Sequence, residues 1–485
     1  MRRRKDGEEM KTGPRSDTAP LLWLGLALCV ALAIAFLLPV TPQDYWWYLR
    51  IGYDTVTSGA LPRWDTLSNA TAGSPMVNYS WAAAVLFWLI YKLGGLTLTV
   101  LLRGLLVMAA YALVWQTARQ LGAGRVGAGL ALLLAVLASS NNWSMRPQLF
   151  AYPLFALALY IMTRWHKGGR NCVFWLPLIS LCWANLHGSY LMLLLLAGAG
   201  LVFGRGDKRN LAIAFAGSVL ATLVNPRGFV LWTDVYHLLT LPAQQFSAEW
   251  NPPLNHGWQM NLFFTWLLAF PLLVAFSPRK LDALEWTWFV GFGFLALRGE
   301  RYVIWFVLLL MLLTSLMLAD WEKRILGEPK QGSPALNLAL CLALILLPLA
   351  LLPGIRERWW QDAPAATERT PIAATSWLAL HPELPGPLWA EIGFASYLEY
   401  ALPSRPPWID SRFIPFSVEQ MQSYKDITNA RYDWQSLLDD TGANLLMVST
   451  LDQPSLQEAL SVSVDWCGLY RDDLAVIYQR GACQP

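Results

Sequence analysis

Charged residues are scarce in this chain, at 14% of 485 residues, where soluble domains carry about 25%. So little charge excludes an ordinary water-facing surface and points to a chain with much of its surface in lipid. The net charge of +3 is small for the length and excludes the basic footprint of a nucleic-acid binder. The six cysteines show no metal-ligand spacing. Cys29, Cys172, Cys182 and Cys341 fall in apolar runs and read as small buried thiols. No small-x-small cleavage site follows the first apolar run, "LLWLGLALCVALAIAFLLPV". With about twenty residues it is too long for a signal-peptide core, so it reads as an uncleaved spanning helix after a basic tail, 1–20.

Hydrophobic residues make up 55% of the chain, and there are 26 tryptophans, a residue favoured where membrane meets water. A helix needs roughly twenty apolar residues to cross the hydrocarbon. Candidate spans are 21–40, 96–117, 124–140, 147–164, 172–187, 188–204, 210–225, 259–277, 282–298, 302–319 and 334–353. The run "YSWAAAVLFWLIYKLGG" (79–95) can either span or lie along the interface. Charge arbitrates. With 79–95 in the interface, the loops on one side hold Arg119, Arg125, Arg164, Lys167, Arg205, Lys208, Arg279, Lys280, Lys323 and Arg324 besides the basic tail. The other side, before the C-terminal part, holds Arg50, Arg63, Lys92, Arg146, Arg227, Arg298 and Arg301. The positive-inside rule then places the N-terminus inside and the C-terminus outside, with about eleven crossings over 21–353.

Residues 354–485 contain no spanning run. "GPLWAEIG", "ANLLMVS" and "LAVIYQR" read as strands, and "SVEQMQSYKDI" and "QPSLQEALSV" as helices between them. The fold class expected is therefore a polytopic α-helical membrane protein with an extracytoplasmic C-terminal α/β domain. Cys467 and Cys483 flank a hairpin-like segment; a disulfide and two free thiols both fit.

The outer loops concentrate polar and aromatic residues. The first, 41–95, is long and opens on "TPQDYWWYLR", with Asp44. Later ones bring Arg146 and Gln148 in "SSNNWSMRPQLF", His187 in "CWANLHGSY", Glu249 in "SAEWNPPLNHGW", and Arg298, Glu300 and Arg301 in "LRGERY". Carboxylates and cations from separate loops on one side can frame a cavity at the outer leaflet. There a carboxylate can take a proton from an attacking hydroxyl or hold a metal ion, and arginine forks match phosphate oxygens. Each residue also has a plainer reading. Asp44 can be a helix N-cap, the "DYWWYLR" rings an interfacial belt, Arg146 a snorkelling anchor, His187 a structural hydrogen-bonding group and Glu249 a solvated acid.

The segments "DYWWYLRIG", "LPRWDTLS" and "VNYSWAAAVLFWLIYKLGG" resemble the opening of class C glycosyltransferases (GT-C), the membrane superfamily of protein O-mannosyltransferases, oligosaccharyltransferases and aminoarabinose transferases. "RPQLF" (146–150), "WANLHGS" (183–189) and "WIDSR" (408–412) are similar to segments of bacterial members of that superfamily. The resemblance implies a polyprenyl-phosphate-linked sugar donor, a lipid, glycan or protein acceptor, and a bacterial cytoplasmic (inner) membrane. By the family pattern Asp44 is the catalytic base or a metal ligand. Lys92, near the end of the interfacial helix, and Arg146 are the phosphate contacts expected, with Gln148, His187, Arg298 and Arg301 as further substrate-binding candidates. The second outer loop departs from the pattern, with Asn141 and Asn142 where relatives often have an acid. Glu249 is the candidate replacement, and a divalent metal stays an open alternative. A lipid-linked glycan flippase and a non-catalytic glycan-assembly scaffold are the competing functions. No internal repeat of the kind expected for a transporter is visible.

Overall fold

The computed structural model describes residues 19–78, 80–169, 172–240, 246–326, 333–351, 367 and 369–482. The basic tail up to residue 18, the junction at 352–366 and Cys483 lie outside the described residues.

The first part is a bundle of helices: α1 (Ala19–Leu37), α2 (Tyr45–Ser58), α3 (Trp81–Gln120), α4 (Arg125–Ser139), α5 (Gln148–His166), α6 (Leu176–Leu186), α7 (Leu191–Phe203), α8 (Lys208–Thr222), α9 (Val230–Thr240), α10 (Gly257–Phe276), α11 (Ala283–Arg298), α12 (Val303–Leu326) and α13 (Pro334–Leu351). By length and composition, the segments Trp81–Gln120, Gly257–Phe276 and Glu300–Leu326 can each cross a membrane. Shorter apolar helices stand at Leu21–Leu37, Val173–Leu186, Gly188–Phe203 and Pro334–Leu347.

The burial pattern follows from apolarity on every face. From Val303 to Met317, α12 is apolar almost all round and buried all round, which makes it the centre of the bundle. On the outer helices, Leu220, Leu268, Phe276, Phe294 and Leu336 are exposed, an apolar rim that suits lipid rather than water. Inside α3, Gly94 and Gly95 leave helical geometry, Gly95 at φ +59° where a side chain is strained, so 81–93 and 96–120 are two helical arms joined by a kink. The boundary expected at residue 95 is therefore real. At the end of α1, the buried Arg103 of α3 donates to the carbonyls of Ala35, Leu38 and Pro39, satisfying acceptors that a helix C-terminus leaves open.

The first outer loop differs from expectation. Residues 45–58 are a helix, and Tyr45, Trp46, Trp47 and Tyr48 are buried rather than forming an interfacial belt. They are buried because α2 is covered on two sides. One side packs on α3, where Gly52 lies so close to the Ala84 carbonyl that a Cβ would stand 2.2 Å from it. The other side meets the C-terminal domain, where Trp46 sits edge-on to Tyr397, with ring centroids 5.0 Å apart.

That domain comprises α14 (Ile372–Ala379), β1 (Leu388–Ala390), α15 (Ile392–Ala401), α16 (Val418–Thr428), α17 (Trp434–Asp440), β2 (Leu445–Ser449), α18 (Pro454–Ser461), β3 (Trp466–Arg471) and β4 (Ala475–Arg480). The sheet order is β1-β2-β4-β3, with β1 parallel to β2 and the other pairs antiparallel. Strand alternation sends Leu446, Val448 and Tyr478 to one core and Leu445, Met447 and Ile477 to another, so helices cover both faces. The expected strands and both expected helices are present, and β3–β4 is the expected hairpin, with Cys467 in β3 paired to Gln479 of β4. Cys467 is disulfide-bonded.

Candidate active site between the bundle and the C-terminal domain

Asp44 occupies the position before the first residue of α2, yet its side chain makes no capping bond. The N-cap reading thus fails, and the carboxylate is turned to other partners. Its Oδ2 accepts from Arg146 Nε at 2.9 Å and its Oδ1 from the Ser411 hydroxyl at 2.8 Å. Ser411 belongs to "WIDSR" of the C-terminal domain and also reaches the Gln43 carbonyl at 2.6 Å, so one hydroxyl hydrogen is shared between two acceptors. Arg146, just before Pro147 at the start of α5, spends its other nitrogens on Glu249, through Nη1, and on Gln43 Oε1, through Nη2 at 2.8 Å.

Glu249 and Trp250 lie in a short 3-10 turn that packs on a second one, Glu300–Tyr302. The pairing brings Arg301 Nη1 to 3.5 Å from Glu249 Oε1 and lays the Arg301 guanidinium 3.9 Å over the Trp250 ring. Gln148 Nε2 donates to the Arg301 carbonyl at 3.2 Å. His187 sits in extended backbone between α6 and the turn 188–190, and its Nδ1 accepts from the Ser189 amide at 3.1 Å. An accepting Nδ1 places the ring hydrogen on Nε2.

These side chains surround a cavity of about 280 Å³. An apolar groove of about 410 Å³ adjoins it between α7, α8, α9 and α11, walled by Leu191, Leu195, Phe215, Trp232 and Leu239. Gln148, His187, Leu238, Trp250 and Arg301 border both spaces. A polar chamber and an apolar groove therefore lie side by side, with one arginine and one histidine lining both.

Burial sets the protonation of the site. It pushes the Asp44 carboxyl above its ordinary value; Arg146 and Ser411 offset this only in part, and Glu249 adds to it. Burial would also raise Glu249, but Arg146 and Arg301 outweigh it and hold that carboxylate below its usual range. Burial and then Arg301 depress His187 to about 3, so its imidazole is neutral. The two carboxylates are thus unequal, Asp44 being the more basic.

The expected site residues Asp44, Arg146, Gln148, His187, Glu249 and Arg301 converge. Lys92 and Arg298 do not: both are exposed and neither lines the cavity. Lys92 precedes the α3 kink on an exposed face, and Arg298 ends α11, three residues before the chain turns Arg301 inward. Two cavity residues were not expected in the site, although Ser411 lies within the "WIDSR" segment. Ser411 lies 367 residues from Asp44. Glu391 N-caps α15 by accepting from the Phe394 amide, and burial pushes its carboxyl up to about 7.

The donors present fit a divalent cation poorly. Such an ion needs several free oxygen ligands, whereas both oxygens of Asp44 and both of Glu249 already face arginine or serine donors. Asn141 stands where the second loop would supply an acid, and it donates to Glu300 at 2.7 Å. Among the described residues no three His, Cys, Asp or Glu side chains gather as a metal site.

No protein-family model matches the chain, and no curated protein sequence matches it. Solved structures do. The archaeal oligosaccharyltransferase AglB from Archaeoglobus fulgidus, in complex with an inhibitory peptide and a dolichol-phosphate, superposes with TM-score 0.58 at 11% identity, over 92% of this chain and 72% of that one. The A. fulgidus enzyme tethered to an acceptor peptide gives 0.56 at 12% identity, over 95% and 74%. The mycobacterial arabinofuranosyltransferase AftD gives 0.56 at 14% identity, over 95% of this chain but 42% of that one. The chain therefore shares the fold of these solved oligosaccharyltransferase and arabinofuranosyltransferase structures.

Proposed function

We propose that the protein is a membrane glycosyltransferase that moves a sugar from a polyprenyl-phosphate-linked donor to an acceptor hydroxyl or amide at the outer face of the cytoplasmic membrane. The observation that carries this reading is the junction of the polar cavity with the apolar groove. A polyprenyl phosphate is an anionic head on a long apolar chain, and the two spaces match the two parts. Arg301, with guanidinium donors not spent on Glu249 and a π face holding it in place, suits the phosphate, and the neutral His187 offers its Nε2–H beside it. Arg146 is largely committed to Asp44, Glu249 and Gln43, so the phosphate role expected for it passes to Arg301. In a single displacement the acceptor attacks the anomeric carbon, Asp44 takes the acceptor proton, and the C–O bond to phosphate breaks with the electron pair leaving on phosphate oxygen, where Arg301 meets the charge.

The fold supports this, and so does the dolichol-phosphate present in the AglB complex. About eleven crossings, a cytoplasmic N-terminus and an extracytoplasmic C-terminal domain belong to the same proposal. The experiment is sugar transfer in membranes by Asp44→Asn, which keeps shape and removes the base. A loss of about 10²- to 10⁴-fold is expected with donor binding retained; full activity would sink the catalytic role. Arg301→Ala should instead weaken binding of the polyprenyl phosphate itself.

A further inference from the structure

We propose that Arg146 is the resident cation of the outer cavity: its guanidinium fills the place between Asp44 and Glu249 that a divalent metal ion would otherwise bridge, and the site works without one. Three observations meet here. First, Arg146 is bound in the manner of a bridging ion, with Nε on Asp44, Nη1 on Glu249 and Nη2 on Gln43, so that groups from two separate outer loops converge on one centre of charge. Second, the charge is already balanced. Asp44 and Glu249 are matched by Arg146 and Arg301, and a dication entering the same space would meet two guanidinium groups at short range. Third, Asn141, whose amide oxygen a metal could recruit, is engaged elsewhere: its Nδ2 donates to Glu300 at 2.7 Å and its Oδ1 accepts from Asn142 Nδ2 at 3.1 Å.

A guanidinium differs from a metal in ways that matter for this site. It keeps its charge at every working pH and cannot be lost to a chelator. Its planar fork fixes the direction of the Asp44 carboxylate at the cavity wall. It does not bind and ionise a hydroxyl as a Lewis acid does, so deprotonation is left to Asp44, whose burial-raised basicity suits that task. Arg146 is then a positioning residue for Asp44.

The inference rests on the proposed glycosyl transfer only for its activity arm; the metal-binding arm stands on geometry alone. Full-length protein in detergent, treated with chelator, is titrated with Mn²⁺ and free ion is read by electron paramagnetic resonance. Wild type should show no Glu249-dependent Mn²⁺ site. Arg146→Met should gain one, and Arg146→Met/Glu249→Gln should lose it again. Transfer by wild type should be unchanged by EDTA, whereas Arg146→Met should fall about 100-fold and recover in part with Mn²⁺. Glu249-dependent Mn²⁺ binding by wild type overturns the proposal, as does transfer abolished by EDTA and restored by Mn²⁺, or a folded Arg146→Met that gains no site. Should Arg146→Met fail to fold, the wild-type arms decide alone. Should no transfer be found with any donor, the proposed function fails while the binding arm still tests Arg146.

Discussion

Two charge clusters stand close together at the end of the bundle that meets the C-terminal domain, built from the same residue types and read by different rules. In the first, Asp44, Arg146, Glu249 and Arg301 line a cavity, with side chains 16–28% exposed. In the second, Asp65, Asp410 and Arg412 are almost wholly buried, at 8% exposure or less. Arg412 holds Asp410 by a fork at 2.5–2.9 Å and Asp65 at 2.8 Å, so it ties the first outer loop to the C-terminal domain. The open cluster leaves lone pairs and N–H groups facing space, where a substrate can use them. The closed cluster, of which only Arg412 borders the cavity, spends its groups on one another and on the Leu67 amide and Thr71 hydroxyl, and that is a clamp. Access, rather than residue type, separates a site from a strut.

Breaking the clamp should have the largest effect on stability. Arg412→Met leaves Asp65 and Asp410 buried without their cation, a change that costs about 3–5 kcal/mol. Thermal unfolding of the purified protein should show the loss, and limited proteolysis should find the C-terminal domain detached from α2. Arg146→Met, at the partly exposed site, should cost clearly less. Equal destabilisation by the two would erase the distinction.

Glu399 sharpens the same contrast through pH. It is buried in α15 beside Asp410 and Arg412, and Asp410 is its hydrogen-bonding neighbour. Burial, then the Asp410 charge, holds its pKa well above the usual carboxylate value, against the pull of Arg412. The folded state therefore binds a proton that the unfolded state has released. Stability is full below the ordinary glutamate pKa and falls as pH rises towards the folded value. Glu399→Gln, which mimics the protonated acid, should remove this slope. Its advantage over wild type in chemical denaturation should widen between pH 5 and pH 8, and parallel curves would refute the assignment.

How much of this was legible in the chain depends on how far each feature reaches. The helical runs and the strands of the C-terminal domain are local patterns, and they fall where periodicity and apolar length put them. Sidedness came from counting lysine and arginine, and the loops it grouped do converge, bringing Asp44, Arg146, His187, Glu249 and Arg301 around one cavity. What stayed hidden depends on tertiary contact. The α2 rings read as an interfacial belt because nothing local announces a second partner covering Trp46. Ser411 and Glu391 enter the site only because the C-terminal domain docks on α2. Lys92 and Arg298 have the right charge on the right side, but the helix face that carries each turns it outward.

Ser411 joins the two clusters, and the smallest predicted effect tests how tightly. It follows Asp410 and precedes Arg412 in the clamp, while its hydroxyl serves Asp44 in the cavity. A base must be ionised to work, so transfer should fall as pH drops through the raised pKa of Asp44. The Ser411 bond favours the ionised form and lowers that pKa. Ser411→Ala should therefore move the acid limb of the rate profile upward, with a stability cost of about 1 kcal/mol or less. Glu249 acts oppositely, since its charge raises the Asp44 pKa. Glu249→Gln should move the limb downward, and further, because a full charge is removed. A pH–rate series on the two variants reads both signs. Shifts in the same direction would mean that the acid limb belongs to a group other than Asp44.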